Sequence, residues 1–72
     1  MEGSVYKIVE IVGVSKTSWE EAAKVAVETA AQTLEDLRIA EVVKQDVVIE
    51  SGKVTGFRIR LNISFKYHPG KG

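Results

Sequence analysis

Apolar and polar residues alternate along this chain in two rhythms, and the switches between them mark its elements. Val5 to Val12, VYKIVEIV, is mostly β-branched and aromatic, which predicts a strand. Gly13 to Thr17 reads as a loop. From Ser18 the period becomes helical. Trp19, Ala23, Ala26, Ala30, Leu34 and Leu37 fall on one stripe, and Glu20, Lys24, Glu28 and Glu35 lie off it. The helix is therefore expected from Ser18 to about Asp36. Its start fits a capping box, in which the Ser18 hydroxyl accepts from the Glu21 N–H and the Glu21 carboxylate reaches back. Glu20 and Glu21 also suit the positive end of the helix dipole. Alanine dominates the stripe, so the helix can lie close to a sheet while burying little area per residue.

The strand rhythm then returns. Ile39 to Glu50 is a second, long strand, Glu50-Ser51-Gly52-Lys53 a hairpin turn, and Val54 to Tyr67 a third strand. The third alternates cleanly from Phe57. Phe57, Ile59, Leu61, Ile63, Phe65 and Tyr67 point one way; Arg58, Arg60, Asn62, Ser64 and Lys66 point the other. The second is less regular: Arg38, Glu41, Lys44 and Asp46 are spaced through the apolar run of Ile39, Val42, Val43 and Val47. The order β-α-β-β predicts an α+β fold, a three-stranded antiparallel sheet wrapped on one helix. Residues 1–72 form a single domain, with 1–4 and 68–72 as flexible tails.

Size and composition sharpen this. Among 72 residues, ten basic and ten acidic side chains cancel, so nothing draws the chain to nucleic acid or to a membrane surface. Without cysteine, neither disulfides nor thiolate metal sites staple the fold. No apolar run reaches membrane-spanning length, and the expected location is cytoplasmic. A core this small rarely supplies more than about 3–5 kcal/mol, and oligomerisation is the staple that remains. Strands longer than the usual five or six or so residues point the same way.

Candidate chemistry is sparse. The single histidine, His68, sits in a Pro/Gly tail, so a Ser-His-Asp arrangement is not expected, nor is an enzyme. Gly52 and Gly56 flank the hairpin and suit turn or bulge roles better than a phosphate loop. Glu41 and Asp46 are weak candidates for metal ligands. A hard cation such as calcium needs several oxygens, more than one strand offers, though a symmetric assembly gathers more. Arg58 and Arg60 are either an anion site or partners of Glu41 or Asp46 on the neighbouring strand. Trp19 either stacks a ligand or, as its place on the stripe favours, packs in the core.

Three stretches carry a resemblance. VYKIVEIVGVSKTSWEEAAKVAVETAAQTL, LRIAEVVKQD and GKVTGFRIRLNISFKY resemble the dodecin family over nearly the whole chain, with the GxS before a SWEEA helix start and the AEVV strand in order. The resemblance implies a β-α-β-β subunit that assembles as a hollow, cubic homododecamer and holds a small ligand or ion. Typical members store flavin. A tryptophan that opens the second strand stacks on the isoalloxazine, and a glutamine on the third strand meets its polar edge. Here those positions are Ile39 and Arg58. Isoleucine has no π-face, and arginine cannot accept a hydrogen bond. The pairing resembles a flavin-independent branch with a calcium-binding member, whose ligands do not transfer residue by residue. Calcium is thus a candidate cofactor, and flavin is disfavoured. The expected function is sequestration or storage in a self-assembling shell. The alternatives are a flavin (FMN or riboflavin) storage dodecin with a modified pocket, and a purely structural assembly protein. The resemblance places Arg38 to Val48 against other subunits and the shell interior.

Overall fold

The computed structural model describes residues 3–68, so of the expected tails at 1–4 and 68–72 the residues 1–2 and 69–72 lie outside the described residues. The elements are β1 (Tyr6–Ser15), α1 (Trp19–Ala30), β2 (Leu37–Glu50) and β3 (Lys53–Lys66). They build one antiparallel sheet in the order β1-β3-β2, so β3 is central and both other strands are edges. This is the expected α+β, β-α-β-β architecture, with α1 on one face of the sheet.

The first strand runs three residues further than its apolar stretch suggests. Gly13, which reads as a strand breaker, pairs with Ile59, and Val14 and Ser15 pair with Arg58 and Phe57. Gly13 is buried. A methyl group there would run into the carbonyl oxygen of Ala22 and come within 2.8 Å of the Ala26 Cβ. Its role is close approach: α1 crosses β1 where the strand has no side chain.

The helix starts as expected. The Ser18 side chain accepts from the Glu21 N–H at 3.0 Å. The reciprocal Glu21 bond of a full capping box is not formed among the described residues. The helix ends at Ala30, earlier than its stripe suggests. Gln32 and Thr33 bond back three residues to Thr29 and Ala30, which winds the last turn tighter. Leu34 and Leu37 are therefore not helical. Leu37 instead opens β2 opposite Phe65 and packs against the core.

That core is narrow. Ala22 and Ala26 of α1 meet Ile59, Leu61 and Ile63 of β3, flanked by half-buried Val9, Ile11, Trp19, Ala23, Val27, Ala30 and Leu37. Of the expected inward face of β3, only its centre is buried; Phe57 and Phe65 are half-buried and Tyr67 is exposed. The hairpin turns at Ser51 (φ 52°) and Gly52 (φ 75°), the two left-handed residues of a type I′ turn. His68, assigned above to a flexible tail, is held instead: its Nε2 lies 2.7 Å from Asp36 Oδ2. Asp36 adopts φ 63°, a conformation its short polar side chain tolerates.

The helix covers β1 and β3 and leaves β2 bare, so every residue from Arg38 to Asp46 is exposed. The chain spans 55 × 20 × 16 Å with a radius of gyration of 14.8 Å, where a compact chain of this length would have about 11 Å. Its 5480 Å² of accessible surface exceeds the about 4,400 Å² expected for a monomer of this mass. Val5, Ile8, Ile39, Ile49 and Val54 are each more than half exposed. Among the described residues no helix is long and apolar enough to cross a membrane.

The close approach yields a prediction. Gly13→Ala should lower stability by about 1–3 kcal/mol through overpacking. Gly56→Ala, whose new methyl would meet nothing nearer than 3.5 Å, should change it far less. Chemical denaturation of both variants checks this. Equal effects would mean that the helix is free to move away from Gly13.

Candidate functional site

Directly opposed residues in a sheet share a face, so the pairing register sorts every strand side chain. Tyr6, Ile8, Glu10, Val12 and Val14 of β1 pair with Lys66, Ser64, Asn62, Arg60 and Arg58 of β3, on the face turned away from α1. On the other side of β3, Ile39, Glu41, Lys44, Asp46 and Val48 of β2 pair with Ser64, Asn62, Arg60, Arg58 and Gly56. The irregular charge spacing of β2 has its explanation here. Register shifts between Leu37 and Ile39 and between Val42 and Lys44 insert Arg38 and Val43 as bulged residues. Each bulge resets the alternation, so Glu41, Lys44 and Asp46 all face the same way. Without the second bulge Lys44 would oppose Ile59 on the helix side.

Three rows of this outer face matter. In the first, Arg58 Nε donates to Asp46 Oδ1 at 2.8 Å and its NH2 group to Oδ2 at 3.1 Å, a two-point pair between directly opposed residues. Of the partners considered above for Arg58, Asp46 is the one it takes. The Asp46 backbone carbonyl meanwhile accepts from the indole N–H of Trp19 at 3.0 Å. Trp19 packs edge-on against Phe57 with centroids 5.3 Å apart, so it belongs to the packing at the start of α1. In the next row Arg60 lies between Val12 and Lys44. In the third, Asn62 lies between Glu10 and Glu41.

The candidate metal ligands are not brought together. Asp46 has both oxygens on Arg58, while Glu41 sits two rows away beside Asn62. Among the described residues no group of three or more histidine, cysteine, aspartate or glutamate side chains is placed to hold a metal. Glu41 gains different neighbours. Two carboxylates and a carboxamide stand in one row, and neither Glu10 nor Glu41 belongs to any of the three ion pairs among the described residues. Glu10 and Asn62 escaped the sequence reading because their link to Glu41 passes through a bulge. The signal was the spacing of Arg38, Glu41, Lys44 and Asp46, which fits neither a flat strand nor a helix.

Ile39 and Arg58, the positions that match the family's flavin tryptophan and glutamine, share the outer face. They pair at β3 positions six residues apart, so about 20 Å separates them within one chain. Ile39 is 67% exposed and Ser64 Oγ donates to its carbonyl at 3.3 Å.

A comparison with known proteins agrees with this architecture. The Dodecin family model matches residues 5–68, and the chain belongs to the dodecin family. It is 48% identical over 69 residues to the calcium dodecin of Mycobacterium tuberculosis (strain ATCC 25618 / H37Rv), covering 94% of this chain and 96% of that one. The crystal structure of calcium dodecin from M. tuberculosis, a calcium-chelating protein with a calcium-binding site, superposes with a TM-score of 0.81 at 46% identity, over 96% of this chain and 99% of that one. The dodecin of Streptomyces coelicolor gives a TM-score of 0.89 at 31% identity, over 97% and 100% of the two chains.

The ion pairs set a pH dependence. The hydrogen bond from Arg58 holds the Asp46 carboxyl below its usual 3.8, against a smaller desolvation effect, and His68 does the same for Asp36. A carboxyl depressed in the folded state lends stability above its unfolded pKa and loses it as pH falls through the folded one. Both groups are exposed, so the contribution is modest. The gap in unfolding midpoint between wild type and Asp46→Asn should be constant from about pH 5 to 8 and close toward about pH 2. A gap that persists at the acid end would mean that the ion pair is not its source.

Proposed function

We propose that this chain is an ion-sequestering dodecin that works as a homododecameric shell and takes calcium on the outer face of its sheet. The observation that carries this is the 48% identity to calcium dodecin across nearly the whole of both chains. The donor set agrees. Glu10, Asn62 and Glu41 offer only hard oxygen ligands, the kind calcium prefers, and neither carboxylate belongs to an ion pair among the described residues. Two carboxylates and one amide oxygen supply at most about five ligands, short of the six to eight or so that calcium takes. Waters or a second copy supply the rest, and a chain that leaves β2 exposed from Arg38 to Asp46 is suited to meet copies of itself.

Storage of flavin is the weaker use of the same scaffold. Ile39 gives an isoalloxazine ring nothing to stack on, and the Nε and one terminal nitrogen of Arg58 are engaged with Asp46. Among the partners of such a shell neither nucleic acid nor membrane is expected, and no reaction is assigned to it.

Calorimetric titration of the metal-free assembly tests the calcium reading. Saturable calcium binding is expected, weakened about tenfold or more by Glu41→Gln or Glu10→Gln, because each removes a charged ligand. Wild-type binding that neither substitution touches would place the ion elsewhere. For flavin, fluorescence quenching should show weak wild-type binding. Ile39→Trp should strengthen it by about 1–3 kcal/mol through restored stacking. Tight flavin binding by the wild-type protein would contradict this assignment.

A further inference from the structure

The row between the Asp46–Arg58 pair and the Glu10–Asn62–Glu41 row holds an arrangement that the calcium reading does not use. Lys44 of β2 and Arg60 of β3 are directly opposed on the outer face. Directly opposed residues lie about 5 Å apart at Cα, and like charges in that position destabilise a sheet. The third member of the row is Val12, which brings no counter-charge. Neither cation belongs to an ion pair among the described residues. A local conflict of this kind, kept on a regular scaffold, marks a functional position more often than a packing one.

The backbone builds this row deliberately. Were Val43 not bulged, Val43 itself would oppose Arg60 and Lys44 would turn to the helix side. The bulge thus re-aims one lysine onto the central arginine of the sheet. The neighbouring carboxylate does not cancel the charge. Asp46 feels Arg58, Arg60 and Lys44 together, but Arg58 occupies both of its oxygens. The adjoining row on the other side carries Glu10 and Glu41, so these three rows hold three cations and three carboxylates, and of them only Arg58 and Asp46 are closed into an ion pair among the described residues. Arg60 is half-buried on the central strand, and a guanidinium is more weakly hydrated than an ammonium.

We propose that Lys44 and Arg60 form a binding site for a small phosphate-type oxyanion, free or as the phosphomonoester group of a small metabolite. Arg60 supplies a planar pair of donors and Lys44 a mobile point charge, the combination that recurs around phosphate oxygens. The site stands apart from the calcium row and does not depend on it. Asp46 is a positioning residue here: it holds Arg58 in place and leaves Lys44 and Arg60 as the open cations. The rival occupant is a carboxylate from a second copy of this chain.

The test uses the intact assembly in metal-free buffer of low ionic strength, titrated calorimetrically with inorganic phosphate and, separately, with methyl phosphate. Saturable binding of at least one is expected. Binding of phosphate alone supports the free ion as ligand, and binding of both supports a phosphomonoester. Lys44→Gln and Arg60→Gln should each weaken binding about tenfold or more, and Lys44→Arg should retain it. Glu41→Gln should leave it unchanged or stronger, so the site can stand even where calcium binding fails. Absence of saturable binding in the wild type, or full binding by the Lys44→Gln/Arg60→Gln double variant, would overturn the proposal. So would loss of the assembly in these variants without any phosphate binding by the wild type, because the two cations would then be holding another copy's carboxylates.

Discussion

The contact between α1 and the sheet at Gly13, Ala22 and Ala26 is the constraint on which the rest of this subunit depends. A strand position without a side chain and two alanines let the helix settle onto β1 and the centre of β3. Closeness limits reach. A helix seated there with small side chains reaches β2 only at its start, through the Trp19 indole on the Asp46 carbonyl, and its burial is concentrated on Ile59, Leu61 and Ile63. The hydrophobic effect scales with apolar area removed from water, and this subunit removes little of it alone. The exposed middle of the second strand and the surplus surface both follow from one tight helix-sheet contact. They are the physical reason for proposing that the fold completes its core by assembly.

The uncovered sheet is also where the chemistry lies. Strand alternation alone would scatter the charges of β2 over both faces. The bulges at Arg38 and Val43 gather Glu41, Lys44 and Asp46 onto the outer face, against the polar side of β3. The result is a ladder of charge types: a closed Asp46–Arg58 pair, an open pair of cations, and an open pair of carboxylates around Asn62. Among the described residues only the first is closed by an ion pair. The proposed function gives the other two rows to ions, and their open charges are the physical basis for that proposal.

Much of the fold was legible in the residues. The hairpin at Ser51 and Gly52, the Ser18 cap and the inward run of β3 follow from local rules about turns, caps and strand alternation; the sequence left Arg58 with an anion, Glu41 or Asp46, and the register selects Asp46. What escaped depends on contacts distant in sequence. Gly13 looks like a strand breaker until a helix is known to pass over it. The early end of α1 has no glycine or proline to announce it, and Leu37, which the helical stripe claims, packs on the core from the start of β2. The row joining Glu10, Asn62 and Glu41 needs a strand order and two bulges before it exists. The composition of β2, with a charge at every second or third position, held the information without stating it.

The most direct measurement on this account of the fold is the mass of the protein in solution, by light scattering coupled to gel filtration and by native mass spectrometry. A closed shell of about twelve chains, each 7.9 kDa, is expected, still intact after dilution to about micromolar concentration. A folded monomer that persists under those conditions would contradict it, because it would mean that the core of Ala22, Ala26, Ile59, Leu61 and Ile63 suffices and that the bare sheet needs no partner.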